Sequence, residues 1–315
     1  MKTPLTVKGV YYKSQRLKKR NICGIIYINR KRCTAGSLYL NGKGLNGMEY
    51  ELPSSDGVLI PGNRGKIFAQ YYLPGGPYPK PAVILCHGIP GNERLFDFSV
   101  YFRERGFCTV NFHYSGSWGS EGNYSIPHCF EDTASVIEYV RKNENGWFDT
   151  ENIFVVGHSL GGLMAAYAIS TFRSVKGGAL LAPYNVLADS MPIVTETGRG
   201  HLSEMFSTET EDFWLKGFHR EELIADILKE PERFDLAAYA EGLAKKPVFL
   251  ATCKKDVFSK EKHGGKLASA IGECSADAPL VYREYDTDHG FNVQRNEVKK
   301  DVAEFLLACL SKERP

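Results

Sequence analysis

Ser159 stands between two glycines in Gly157-His158-Ser159-Leu160-Gly161, directly after the apolar run Asn152-Ile153-Phe154-Val155-Val156 and just before Leu163-Met164-Ala165-Ala166-Tyr167-Ala168-Ile169. A strand, a sharp turn and an alanine-rich helix in that order push a serine hydroxyl out beyond a sheet edge. The flanking glycines remove the side chains that would collide in so tight a turn. Such a serine suits nucleophilic attack on a carbonyl carbon. A free hydroxyl does this poorly; it needs a histidine to take its proton and a carboxylate to hold that histidine's tautomer.

The order expected along the chain is serine, acid, histidine. His289 is the expected base, because it lies in Asp286-Thr287-Asp288-His289-Gly290-Phe291, the exit loop of a strand predicted over residues 279–285. Asp256 is the expected acid, ending Lys254-Lys255-Asp256 after a strand predicted over residues 247–253. Both follow carboxyl ends of strands, where open α/β sheets place their ligands. Asp286 and Asp288 are rivals for the acid, although each is too near His289 in the chain to reach its Nδ1 easily from the far side of the ring. An aspartate after a strand also serves as a turn or helix cap, and that role stays open for Asp256.

A tetrahedral intermediate needs two backbone donors, one from the residue after the nucleophile and one from the loop after an earlier strand. Leu160 is the expected source of the first. For the second, the apolar segment 81–86 runs into His87-Gly88-Ile89-Pro90-Gly91-Asn92, and the amide of Ile89 is the expected donor. Pro90 has no N–H to give. His87 is read as a packing and hydrogen-bonding residue at the strand end.

These residues require a frame of alternating strands and helices. Strands are predicted over 67–72, 83–86, 108–112 and 175–181, and helices over 95–105, 130–142 and 293–310. That alternation argues for a mostly parallel sheet covered on both faces. The stretch between 182 and 246 is too long for an ordinary connection and reads as a cap, with helices predicted over 211–218, 221–230 and 231–243. Within it Met191, Met205, Phe206, Phe213, Trp214 and Phe218 form either an apolar roof over the serine or the cap's own core.

Four motifs in combination resemble those of a serine hydrolase of the α/β-hydrolase superfamily. They are His87-Gly88-Ile89-Pro90-Gly91, the loop Tyr114-Ser115-Gly116-Ser117-Trp118-Gly119-Ser120-Glu121-Gly122, the turn around Ser159, and Asp288-His289-Gly290-Phe291. Within the superfamily the chain is most similar to bacterial cinnamoyl/feruloyl esterases and serine-aminopeptidase-like hydrolases, over residues 49–310. The resemblance implies an α/β-hydrolase fold: a mostly parallel central sheet with helices on both faces and a small helical cap insertion at about 184–244. It implies hydrolysis of a carboxylic ester with a small acyl or aromatic, cinnamoyl-type group. It also places the loop holding Trp118 beside the cleft, so Trp118 is expected to contact substrate; Trp214 is expected to do so as part of the apolar roof.

Three other functions fit the same residues. An exopeptidase would use the same triad with acidic cap residues for the substrate amine, for which Glu196, Glu204 and Glu209 are candidates. A perhydrolase or acyltransferase would differ in the nucleophile that resolves the acyl-enzyme. A binding module on an inactive scaffold would leave Ser159 unreactive, although every triad position is filled.

At 315 residues, of which 43% are hydrophobic, the chain can bury a single large core. No apolar stretch approaches the roughly 20 residues of a membrane span. Eight cysteines are scattered without a C-x-x-C pair, and Cys86, Cys108, Cys253 and Cys309 fall inside apolar segments. They read as free thiols of a reducing, cytoplasmic compartment. No metal or organic cofactor is expected, and the expected partner is a small-molecule ester; homo-oligomer formation is left open.

Of the 39 Lys and Arg, 11 lie in residues 1–47, where there is no acidic residue, so residues 48–315 hold 28 basic against 37 acidic residues, a formal charge of −9. An acid-free basic arm suits nucleic acid, an anionic membrane or a targeting role. The simpler expectation is that the functional domain runs from 48 to 315 and that 1–47 is a disordered or non-native extension, with no nucleic-acid partner.

Overall fold

Five consecutive residues, Ala82, Val83, Ile84, Leu85 and Cys86, are fully buried, and they divide by parity. Ala82, Ile84 and Cys86 enter one apolar cluster, whereas Val83 and Leu85 enter another. A strand turns successive side chains to opposite faces, so an unbroken apolar run marks a strand covered on both sides.

The computed structural model describes residues 42–43, 49–50, 52–91, 95–190 and 215–311. The main sheet has eight strands: β1 Ser54–Gly62, β2 Gly65–Leu73, β3 Lys80–Cys86, β4 Cys108–Phe112, β5 Phe148–His158, β6 Val175–Leu181, β7 Val248–Cys253 and β8 Leu280–Tyr285. Their spatial order is β8-β7-β6-β5-β3-β4-β2-β1. β2 pairs antiparallel with both β1 and β4, and every pairing from β4 to β8 is parallel. The mostly parallel α/β-hydrolase sheet expected from the sequence is therefore present. A separate two-residue pairing joins Gly42–Lys43 to Glu49–Tyr50 across the boundary expected at 48.

The described α-helices are α1 Phe96–Arg103, α2 Ile126–Lys142, α3 Leu160–Thr171, α4 Val186–Ser190, α5 Arg220–Lys229, α6 Ala240–Leu243, α7 Lys260–Cys274 and α8 Arg295–Ser311. Phe98 and Phe102 of α1 and Val298, Val302 and Leu306 of α8 pack with Val83 and Leu85. Phe130 of α2, Leu163 and Ile169 of α3, and Leu267 and Ile271 of α7 cover the other face. No helix among the described residues is long and apolar enough to cross a membrane.

The register sets the strand exits side by side. Cys86 pairs with Gly157, His158 with Leu181, and Tyr285 with Cys253. The loops leaving β3, β5, β7 and β8 consequently emerge along one edge, and these loops carry Ile89, Ser159, Asp256 and His289.

The structure departs from sequence expectation in four places. α2 begins four residues before the predicted 130, because the Ser125 hydroxyl accepts from the His128 amide at 3.3 Å and Pro127 opens the helix. α7 was not predicted at all. Its Gly264-Gly265 pair reads as a turn signal, yet a Cβ at Gly264 would collide with Cγ2 of Thr252, so this glycine lets the helix approach the sheet closely. The helix predicted over 211–218 does not extend through its described end, where Leu215 instead bridges antiparallel to Ser117. Residues 231–243 form two 3-10 turns followed by α6 rather than one helix.

Candidate active site

Ser159 lies between β5 and α3 with φ 57° and ψ −120°, a conformation that side chains other than glycine rarely adopt. Such a backbone costs about 1–3 kcal/mol and persists only where its surroundings hold it. Here its amide donates to Leu181 at 2.9 Å, and its carbonyl accepts from Gly162 at 2.8 Å and Tyr184 at 3.0 Å. Both flanking glycines are required. A Cβ on Gly157 would strike the Gly161 carbonyl, and one on Gly161 would strike the Cys86 carbonyl.

Asp256 Oδ2 accepts from His289 Nδ1 at 2.7 Å, and the side chains are 1% and 17% exposed. The same carboxylate accepts from the amides of Phe258 at 2.8 Å and Ser259 at 2.9 Å, and from the Ser259 hydroxyl at 2.5 Å. Asp256 thus both shapes its own turn and holds the histidine. Burial pushes its carboxyl upward, but the hydrogen bond and charge of His289 and the two Ser259 hydrogen bonds outweigh this and bring it down to about 2. Neither rival replaces it: Asp286 pairs with Lys255 at 3.0 Å, and Asp288 accepts from Asn292 and Thr287.

His158, beside the serine, donates from Nε2 to the His289 carbonyl at 2.8 Å. Its burial, reinforced by the nearby His289, lowers its pKa to about 3, so it is neutral near pH 7. Arg295 donates to the Gly290 carbonyl at 3.0 Å while its guanidinium grips Asp97 at 2.8 and 3.0 Å. The histidine loop is therefore tied down at two successive carbonyls.

The loop after β3 packs directly on the serine. A Cβ on Gly88 would lie 3.0 Å from Ser159 Cβ and 3.5 Å from its Oγ. Leu160 occupies the first position of α3, where an N–H has no partner within the helix. His87 is buried, donates from Nδ1 to the Gly88 carbonyl at 2.6 Å and packs on Tyr114, in line with the packing role expected of it.

A cavity of about 470 Å³ is lined by Gly88, Ile89, His158, Ser159 and His289, with Phe258 and others at its rim. The structure thus brings together Ser159, His289 and Ile89, with Asp256 behind the histidine. Trp118, expected to touch substrate, is not in this lining. Its Nε1 donates to the Pro90 carbonyl at 3.1 Å, which places it against the back of the Ile89 loop. Trp214 lies outside the described residues. So do Met191, Met205, Phe206, Phe213 and the three cap glutamates. The contributions of His158, Ser259 and Phe258 went unread in the sequence, although Asp-x-x-Ser is a recognisable capping spacing.

Residues 81–222 match a family model described as alpha/beta hydrolase fold. A 31.7 kDa protein from the traX-finO intergenic region of Escherichia coli is 38% identical over 101 residues, covering 30% of this chain and 35% of that protein. A proline iminopeptidase of Flavobacterium johnsoniae is 32% identical over 106 residues, covering 32% and 35%. The matched stretch thus spans about a third of each of these relatives. Among solved structures, a Pyrococcus furiosus esterase aligns with TM-score 0.61 at 17% identity, covering 81% of this chain and 93% of that one. A Pyrococcus horikoshii acylaminoacyl peptidase aligns with TM-score 0.63 at 17% identity, covering 84% and 43%.

Proposed function

We propose that this chain, which has the α/β-hydrolase fold, is a serine hydrolase cleaving carboxylic esters through an acyl-enzyme. The observation that carries the reading is the 2.7 Å contact of His289 Nδ1 with Asp256, made at the wall of a cavity that also exposes Ser159. Neutral His289 accepts the Ser159 proton on Nε2 as Oγ bonds to the ester carbonyl carbon. The amides of Ile89 and Leu160 receive the oxyanion, the alcohol leaves with the proton, and water activated by His289 releases the acid. Small acyl groups and cinnamoyl-type aromatic acyl groups are the proposed substrates. Residues 184–244 are proposed to form the cap, 1–47 to be dispensable for the reaction, and the compartment to be the reducing cytoplasm.

Turnover of p-nitrophenyl acetate, p-nitrophenyl butyrate and methyl ferulate by the purified chain tests this reading. Ester cleavage that vanishes in Ser159→Ala is expected; a folded chain inert toward all three would overturn it. The stretch resembling proline iminopeptidases favours amide cleavage as the second reading. Faster turnover of prolyl or other aminoacyl anilides than of the esters would establish that reading.

A further inference from the structure

We propose that Val257 and Phe258 form the leaving-group side of the site and select esters of apolar alcohols. The proposal rests on the ester-hydrolase reading above. When the tetrahedral intermediate collapses, the bond from the carbonyl carbon to the alcohol oxygen breaks, its electron pair stays on that oxygen, and the oxygen takes the proton held at His289 Nε2. The alcohol's substituent must therefore leave past the wall beside His289.

That wall differs chemically from the opposite one. On the oxyanion side the lining among the described residues is Gly88, Ile89 and Gly91, which offers a single side chain larger than hydrogen. On the histidine side it is Lys255, Val257, Phe258, Asp288, Gly290 and Asn292. The polar members of this second set are already engaged. Lys255 pairs with Asp286 at 3.0 Å, and Asp288 accepts from the Asn292 amide at 2.8 Å and from its Nδ2 at 2.5 Å. Among the described residues on this side, the apolar surface left to meet a substrate is Val257, 71% exposed, and Phe258, 53% exposed, whose ring centroid lies 5.3 Å from that of His289.

Two adjacent large apolar side chains held open at the lip of a reactive cavity gain from covering by an apolar substituent. Their own packing does not account for their exposure. Their position is fixed by chemistry the site needs anyway, since the Phe258 amide caps Asp256. The acid loop would thus carry both the carboxylate that orients the histidine and the apolar shelf that receives the departing alcohol.

The test is a series of acetate esters with one acyl group and alcohols of increasing length: methyl, ethyl, propyl, butyl and hexyl. All form the same acyl-enzyme, so differences in kcat/KM report the leaving-group side alone. Wild type is expected to favour butyl over methyl by about 10-fold, somewhat less than full burial of each methylene would give. Phe258→Ala keeps the capping amide and should flatten that ratio to about threefold, with Phe258→Leu recovering most of it. Val257→Ala reports independently should the first variant fail to fold, as judged by circular dichroism. A wild type indifferent to alcohol length, a ratio unchanged in Phe258→Ala and Val257→Ala, or faster cleavage of a charged aminoethyl ester than of the butyl ester would overturn the shelf alone. Absence of turnover for every ester would overturn the ester-hydrolase reading on which it stands.

Discussion

His158 donates its Nε2–H to the backbone carbonyl of His289 at 2.8 Å, so the residue that precedes the nucleophile candidate holds the loop of its proposed base. The two rings lie 4.8 Å apart. A residue of the tight turn is thereby coupled to a loop 131 positions further along the chain. Burial, with the nearby His289, lowers the His158 pKa to about 3, so near pH 7 the ring is neutral and its single proton is the one held on Nε2 for this bond.

His158→Phe retains an aromatic ring and removes the donor. A displacement of the base by about 1 Å costs on the order of 100-fold in rate, so kcat is expected to fall about 10- to 100-fold while KM changes little. Steady-state kinetics on a p-nitrophenyl ester check this. A stability signature accompanies it. The folded pKa is lowered from the ordinary 6.5 to about 3, so the unfolded chain binds the extra proton and stability falls as pH drops from 6.5 toward 3. Denaturation midpoints at pH 7, 6, 5 and 4 should show that part of the slope missing in His158→Phe.

Asp256 titrates with the same sign of pH slope over a lower window. Its folded pKa is lowered from 3.8 to about 2, so its contribution is fully present above pH 4 and is lost as pH falls through 2. The ionised carboxylate contributes about 2 kcal/mol by linkage. Asp256→Asn should therefore be less stable than wild type by that order at pH 7, with the gap closing between pH 4 and 2. Its kcat should fall by about 10⁴, because the histidine loses the partner that sets its tautomer. Urea titrations across this range, with kinetics at pH 7, are the measurements.

Trp118 separates a substrate contact from a buttress. Its Nε1 donates to the Pro90 carbonyl at 3.1 Å, and Tyr114 donates to the His87 carbonyl at 3.3 Å, so the loop after β4 grips the Ile89 loop at both ends. Trp118→Phe keeps the bulk and removes the donor. A several-fold fall in kcat at unchanged KM is expected if the tryptophan positions the Ile89 amide. A raised KM at unchanged kcat would return it to the substrate-contacting role expected from sequence.

The order of the fold and the residues of the site were legible for different reasons. β4 and β6 coincide with their predicted spans because short segments buried on both faces carry almost no charge, Lys176 being the one exception in these two strands, and are bounded by turn residues. Ser159 and Asp256 could be read because each follows a strand with a buried end, and His289 because it follows an exposed edge strand still marked by Val281, Tyr282 and Tyr285; strand exits in a parallel sheet share one edge. What could not be read depends on partners distant in the chain. Nothing local announces that His158 meets His289, or that Trp118 turns toward Pro90. α7 was hidden because Gly264 serves close packing on Thr252, a use of glycine that its neighbours in sequence do not reveal.

A fluorophosphonate probe reads the activation of Ser159 without knowledge of the natural substrate, because only a serine with an assembled base and oxyanion site attacks the phosphorus readily. Labelling of the wild type, with none in Ser159→Ala and a strong reduction in His289→Ala, is the expected result. A folded wild type that takes up no probe, or a Ser159→Ala variant that labels equally well, would contradict the claim.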